Sequence, residues 1–273
     1  MNAGEAAVLG VVQGLTEFLP ISSTAHLRIV PALVGWDDPG AAFTAVVQLG
    51  TMIALVVYFW RDLIGLITAW WRGLTHRSVR HTQEYRMAWY VIFATIPIGL
   101  FGVIFAHQIT TAARNLWLIA TTMLVLGLVL LLAEKVGTRS RGEESIGLRD
   151  GLVVGIAQAA ALIPGVSRSG STITAGLFMG LQRQAAARFS FLLSIPAVVL
   201  SGLYELKDVG KSGGAGLGAI ALAVLIAFVV GLASIHWLLR YLGRHSTSVF
   251  VGYRVLVAAL LFSLLGAGVI SAT

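Results

Sequence analysis

Gln13 to His26 reads QGLTEFLPISSTAH, and Pro164 to Thr172 reads PGVSRSGST. Each stretch interrupts apolar sequence with polar chemistry. The first carries the carboxylate of Glu17, the helix breaker Pro20, the hydroxyls of Ser22, Ser23 and Thr24, and His26. The second sets Arg168 among Ser167, Ser169, Ser171 and Thr172, behind a Pro-Gly break. The expectation is that the two insertions meet inside a membrane and form one anion site.

The surrounding composition supports that setting. Of 273 residues, 57% are hydrophobic and 11% charged, where a soluble domain is about 25% charged. Several apolar runs approach the roughly 20 residues a helix needs to cross a bilayer. The class is an all-α polytopic membrane protein. The opening MNAGEAAVLG has no basic segment and carries Glu5, so no cleavable signal peptide is expected. There is no cysteine, which excludes thiol chemistry. The formal charge of +7 is assigned to loops rather than to nucleic acid, because Lys and Arg collect on the cytoplasmic side of membrane proteins.

Residues 3–19 and 24–34 are apolar, but each is too short to span. They read as a re-entrant hairpin with Pro20–Thr24 at its tip, a geometry tolerated at membrane depth only inside protein or beside a cavity. Three spans follow, at 41–60, 87–106 and 116–135, with an interfacial helix around LIGLITAWW between the first two. The plan then repeats. Residues 150–163 and 171–181 flank Pro164-Gly165, and three spans follow at 185–205, 216–239 and 248–271.

LGVVQGL (9–15) matches VGIAQAA (154–160), and Phe43, Ala54 and Tyr58 fall opposite Phe189, Leu200 and Tyr204. Three spans per half is odd, so the second half is expected upside down relative to the first. Such an inverted repeat places a site near the bilayer midplane. The chain thus reads as one membrane domain, 1–273, built of repeat one (1–136) and repeat two (147–273). If the 61–86 loop is cytoplasmic, the segments sharing its side hold thirteen of the 19 Lys and Arg residues. The opposite side holds Arg28, Arg114, Lys207 and Lys211, and both termini face outward.

Charge at membrane depth costs about 3 kcal/mol on insertion scales, so Glu17 needs a reason to be there. The plainer role is a structural carboxylate paired with a buried arginine. Gln13 lies one helical turn earlier on the same face, placed to share an ion or a hydroxyl with Glu17. Ser22, Ser23 and Thr24 restart a helix after Pro20. They can cap it, and its free N–H groups and positive dipole end suit an anion. His26 within a turn of Ser23 suggests an activated nucleophile. Arg168 offers phosphate a planar fork of donors, and Gly165 and Gly170 permit close backbone approach. A Glu17–Arg168 ion pair between the tips is compatible with both roles. Arg254, nearer a span end, can snorkel to the interface and is left unassigned. A phosphate ester bound at mid-membrane is most simply a lipid.

At these motifs the chain resembles the undecaprenyl-diphosphate phosphatases, the bacitracin-resistance family of bacteria. The family's (E/Q)xxxE, PxSSTxH and PGxSRSxxT patterns correspond to Gln13–Glu17, Pro20–His26 and Pro164–Thr172. The resemblance implies hydrolysis of undecaprenyl diphosphate to the monophosphate and phosphate, recycling the carrier lipid for peptidoglycan and other envelope glycans and conferring bacitracin resistance. It implies a divalent cation, Mg²⁺ or Ca²⁺, on Glu17 and Gln13, in an inner-membrane protein whose site opens to the periplasmic side. Glu17, Ser23, His26 and Arg168 would be catalytic, with Ser23 the nucleophile. Ser22, Thr24, Ser167, Ser169 and Thr172 would hold phosphate. Gln13 stands where many relatives have Glu, which weakens a mechanism needing two carboxylates. A homodimer is compatible with the chain. The rival function is a transporter or flippase of a polyprenyl phosphate lipid, which would release no phosphate.

Overall fold

A computed structural model describes residues 1–105, 115–205 and 216–272. Apart from an isolated bridge between Arg141 and Leu181, every regular element among them is helical. The α-helices are α1 (Ala3–Thr16), α2 (Ser23–Val34), α3 (Gly40–Tyr58), α4 (Trp60–Thr75), α5 (Gln83–Ile104) and α6 (Leu116–Val136). They continue with α7 (Leu148–Ala159), α8 (Arg168–Phe178), α9 (Arg183–Glu205), α10 (Leu217–Leu242) and α11 (Ser248–Gly266).

The four short helices lie where the polar insertions break the chain. At 1.5 Å per residue, α2 and α7, each of 12 residues, extend only about 18 Å, against a hydrocarbon core of about 30 Å. Local sequence fixes their outer ends. Asn2 and Glu5 form a reciprocal capping box on α1, Asp150 accepts from the Gly147 N–H ahead of α7, and Gly35 closes α2 in the left-handed conformation.

Around these breaks the long helices pack in pairs. α10 lies against α1 and α3, α5 against α7 and α9, α6 against α11, and α3 against α9. Small residues set the closest approaches, as in membrane helix pairs generally. A Cβ at Gly10 would stand 2.6 Å from the Ala223 carbonyl oxygen, and one at Gly155 would stand 2.5 Å from that of Ala94.

Four helices are long and apolar enough to cross a membrane: α5, α6, α10 and α11. α3 and α4 add a fifth if they are one span, bent by 70° at Phe59. These counts are of the described residues, and the expected segment 185–205 is helical as α9 (Arg183–Glu205). It carries Arg183, Arg188, Ser190 and Ser194, and it buries Ala186, Phe189, Phe191 and Leu193 among its neighbours. Surrounded by protein, it does not need a wholly apolar surface. Phe191 meets Phe18 edge-on at 5.5 Å and Phe59 at 6.2 Å, which joins α9 to the first break and to α3.

The basic loops are cross-tied. Glu134 receives Arg139, Arg183 and the Thr247 hydroxyl, Arg141 forks onto Asp150, and Arg188 joins Asp62 to Glu143. Arg114, Lys207, Lys211 and the Tyr204 side chain lie outside the described residues.

Candidate active site

The two breaks share a backbone device. Ser22 has φ 76° and ψ 104°, and Ser167 has φ 71° and ψ 119°. This left-handed side of φ costs a non-glycine residue about 1–3 kcal/mol and persists only where the surroundings over-determine it. Glycine would take it freely, but serine adds a hydroxyl. Ser22 Oγ accepts from the Ala25 N–H at 3.4 Å, and Ser167 Oγ accepts from the Gly170 N–H at 3.1 Å. Each serine is thereby the N-cap of its helix, α2 or α8. The N–H groups of Ser23, Thr24, Arg168 and Ser169 have no hydrogen-bond partner among the described residues. Two helix starts therefore keep donors for an anion.

Arg254 supplies much of the constraint. It does not snorkel. It is 1% exposed, and its guanidinium spends all five donors on backbone carbonyls. Nε donates to Met123 O, Nη1 to Pro20 O and Val166 O, and Nη2 to Thr122 O and Gly165 O, at 3.0–3.2 Å. One side chain on α11 thus grips both breaks just ahead of their strained serines and anchors them to α6. Gly165, at φ 83°, completes the second turn.

Glu17 is the junction of the two insertions. Its Oε1 accepts from Arg168 Nη2 at 3.1 Å, and its Oε2 accepts from Ser23 Oγ at 2.5 Å and from Gln13 Nε2 at 3.1 Å. Both members of the ion pair are largely buried. Gln13 also donates to Thr51 Oγ1, while its Oε1 is buried with no partner. A lone buried amide oxygen beside a carboxylate suits a hard cation, which prefers oxygen. No group of three or more His, Asp or Glu side chains assembles among the described residues. The donor set therefore fits a cation that takes its remaining ligands from water and phosphate, as Mg²⁺ commonly does.

Other expected residues are placed differently. His26 does not contact Ser23. Its Nδ1–H donates to the Ser22 carbonyl at 2.7 Å, and its Nε2 meets the Tyr253 hydroxyl at 2.7 Å with the rings stacked. The Ser23 hydroxyl donates to the Glu17 carboxylate, so the structure brings Ser23 together with Glu17 and places the His26 ring on the Ser22 carbonyl and Tyr253. Thr172 is fully buried and turns its hydroxyl onto Ser190 of α9, locking α8 to α9 rather than facing a ligand. Ser169 donates to Leu19 O and pairs with Ser167, and exposed Thr24 pairs with Ser22.

A crevice opens on this cluster between the first break, α3 and α9. It is lined by the polar side chains of Glu17, Arg168, Ser169, Thr51, Ser190 and Ser194 and the apolar ones of Phe18, Met52, Leu55, Phe191 and Val198. Thr51, Ser190, Ser194 and Tyr253 escaped sequence reasoning, whereas Arg254 was visible there as a charge within the apolar α11 but was left without a role.

The chain is 53% identical over 277 residues to the undecaprenyl-diphosphatase of Mycobacterium ulcerans (strain Agy99), covering 100% of both chains. It is 52% identical over 277 residues to that of Paenarthrobacter aurescens (strain TC1), again covering 100% of both. Against that of Nocardia farcinica (strain IFM 10152) it is 49% identical over 305 residues, covering 98% of this chain and 97% of the relative. A family profile described as Bacitracin resistance protein BacA matches residues 6–260, a range that takes in both breaks and Arg254. By the extent of that match and of the full-length identities, the chain belongs to the bacitracin resistance protein BacA family.

Proposed function

We propose that this chain hydrolyses undecaprenyl diphosphate to undecaprenyl phosphate and inorganic phosphate. The observation that carries the reading is Glu17, bound at once to the Ser23 hydroxyl and to Arg168 across the two breaks. The narrow crevice beside it is lined by Glu17, Arg168 and the hydroxyls of Thr51, Ser169, Ser190 and Ser194 together with Phe18, Met52, Leu55, Phe191 and Val198, a mixture of polar and apolar groups that matches a lipid diphosphate in kind. The name carried by the full-length relatives points the same way.

Phosphate oxygens accept from Arg168, from the four free N–H groups and from the Ser22–Thr24 hydroxyl pair, while the Ser167 and Ser169 hydroxyls hold the second turn against Leu19 O. Arg168, drawn to phosphate, releases Glu17 Oε1. Ser23 Oγ then attacks the terminal phosphorus while Glu17 takes its proton. The Oγ–P bond forms, the bridging P–O bond breaks, and Glu17 passes the proton to the departing lipid phosphate. Water attacks the phosphoserine in the second step. One of its protons returns through Glu17 to Ser23 Oγ, and inorganic phosphate leaves. Arg168 and the helix starts balance the charge that grows on the phosphoryl oxygens. His26 positions the start of α2 through the Ser22 carbonyl. A divalent cation, Mg²⁺ or Ca²⁺, on Glu17 and Gln13 would neutralise phosphate charge and polarise the P–O bonds.

The architecture that goes with this reading is an inverted repeat, residues 1–136 and 147–273, each a re-entrant hairpin followed by membrane helices. Several equivalences support it. Exchanging the halves carries the α1–α10 and α3–α10 contacts onto α7–α5 and α9–α5 and leaves α3–α9 and α6–α11 in place. Gly10 has its equivalent in Gly155, and Ser22 in Ser167. The bias of Lys and Arg supports periplasmic termini in the bacterial inner membrane, with the site open to the periplasmic side. Recycling of the carrier lipid for peptidoglycan, and bacitracin resistance, would follow. A homodimer is decided separately by light scattering of the detergent complex.

The test is phosphate release from undecaprenyl diphosphate by purified protein in detergent, for wild type and Glu17→Ala, with and without a chelator. Release by wild type that Glu17→Ala abolishes is expected. No release from well-folded wild type would favour a lipid phosphate flippase.

A further inference from the structure

Arg139, Arg141, Arg183 and Arg188 are each paired with an acid and tie the fold together. Arg61, Arg72, Arg77, Arg80, Arg86, Arg149, Arg240 and Arg244 are exposed and carry no ion pair among the described residues. Five of these eight lie on α4, on the turn Arg77–His81, or in the first turn of α5, where Arg80 turns its guanidinium onto the Gly73 and Leu74 carbonyls and leaves Arg61, Arg72, Arg77 and Arg86 facing outward.

They adjoin an apolar face that the protein does not cover. Trp60, Ile64, Ile67, Trp71 and Leu74 recur at helical spacing along α4 and are 45–69% exposed. The flank of α4 away from the arginines is seated on protein: Leu63 and Leu66 pack on the core, and Gly73 lies against Tyr85. At 100° per residue, Arg61, Thr68 and Arg72 form a flank about 100° round from the exposed apolar face. Asp62, bound to Arg188 of α9, holds the first turn of α4 in this attitude.

The geometry points to the outer face of α4, with the turn after it, as a docking surface for anionic phospholipid. The tryptophan and isoleucine face enters the acyl region, and the unpaired guanidinium groups meet headgroup phosphates at the level where α4 bends from α3. Charge complementarity selects the partner: four cations without protein counter-charges beside an aromatic-rich apolar stripe match an anionic leaflet. This inference does not depend on the phosphatase reading.

The test uses the full chain in neutral detergent, titrated with phosphatidylglycerol or phosphatidylcholine. Native mass spectrometry measures retained lipid, and thermal shift measures the gain in stability. Two double variants are compared with wild type, Arg72→Gln/Arg77→Gln on the proposed surface and Arg240→Gln/Arg244→Gln on another exposed basic segment. A basic side chain at an anionic surface changes association about fivefold, so the first pair is expected to lower the preference for phosphatidylglycerol by about 25-fold. The second pair is expected to leave it unchanged. In wild type the preference should shrink as salt is raised. Equal loss in both double variants would show a bulk charge effect and overturn the assignment. So would a preference that survives Arg72→Gln/Arg77→Gln, or a wild type that holds both lipids alike.

Discussion

Replacing Arg254 by methionine keeps the length and apolar stem of the side chain and deletes the guanidinium. Five carbonyls, those of Pro20, Thr122, Met123, Gly165 and Val166, then lose a buried donor. At a net value of about 1 kcal/mol per hydrogen bond, the loss is about 5 kcal/mol. That is comparable to the cost of breaking other buried charged contacts, about 3–5 kcal/mol, and a large share of a total stability of about 5–15 kcal/mol. At about 2–4 °C per kcal/mol it lowers Tm by roughly 10–20 °C. Because the strained serines follow the gripped carbonyls, phosphate release should fall too. Arg254→Lys separates charge from geometry. Lysine has three donors, so at least two carbonyls stay bare, and a loss of about 2 kcal/mol is expected despite the retained charge. The assays are thermal unfolding in detergent and phosphate release on the same samples. Arg254→Met protein with wild-type Tm and turnover would refute the role given to this clamp.

Glu17→Gln retains hydrogen-bonding capacity but removes the proton acceptor and the ion pair, so turnover should fall by about 10²–10⁴ while the protein stays folded; a smaller loss in kcat would move the base elsewhere. Ser22→Gly relieves the positive φ at a cap cost of a few tenths of a kcal/mol, so a gain of about 1 kcal/mol in unfolding free energy is expected, and a loss would show that Ser22 is not strained. Burial works against ionisation of Asp150, but the Arg141 hydrogen bonds and charge together with the Gly147 N–H outweigh it, and its carboxyl is held below the usual range. A depressed acid contributes stability above its unfolded pKa of about 3.9, lost as pH falls further. Wild type should therefore lose Tm below about pH 4 with a component that Asp150→Asn lacks. Chelation should suppress phosphate release, with added Mg²⁺ or Ca²⁺ restoring it; activity indifferent to the chelator would remove the cation from Glu17 and Gln13.

The junction was legible because its ingredients are expensive where they stand. A carboxylate and a guanidinium in apolar sequence each need a partner, and Pro20 and Pro164-Gly165 announce where helices stop. The meeting of Glu17 with Arg168, 151 residues away, follows from that logic. The proton partner of Ser23 did not follow. Helical spacing sets Ser23 and His26 side by side, but imidazole found a backbone carbonyl one turn back, a local bond that competes with any side-chain couple. Arg254 was misjudged for a related reason: its acceptors are main-chain oxygens of three distant segments, and carbonyls leave no trace in composition or periodicity. That α9 is largely enclosed by protein was also not legible, because length and hydrophobicity do not say whether lipid or protein surrounds a helix.

The grip of Arg254 on both turns has a consequence for how this chain can be cut or can diverge. The N-terminal half provides the Glu17 carboxylate and the Ser23 hydroxyl bound to it, yet the shape of its own turn is held by a side chain from near the far end of the polypeptide. A fragment ending in the loop after α6 would keep Glu17 and Ser23 and lack the part that shapes the turn between them. Neither fragment is self-sufficient, and a drift in the tilt of α11 is felt at both turns together. The two halves are thus bound to change in concert, however far their sequences have moved apart.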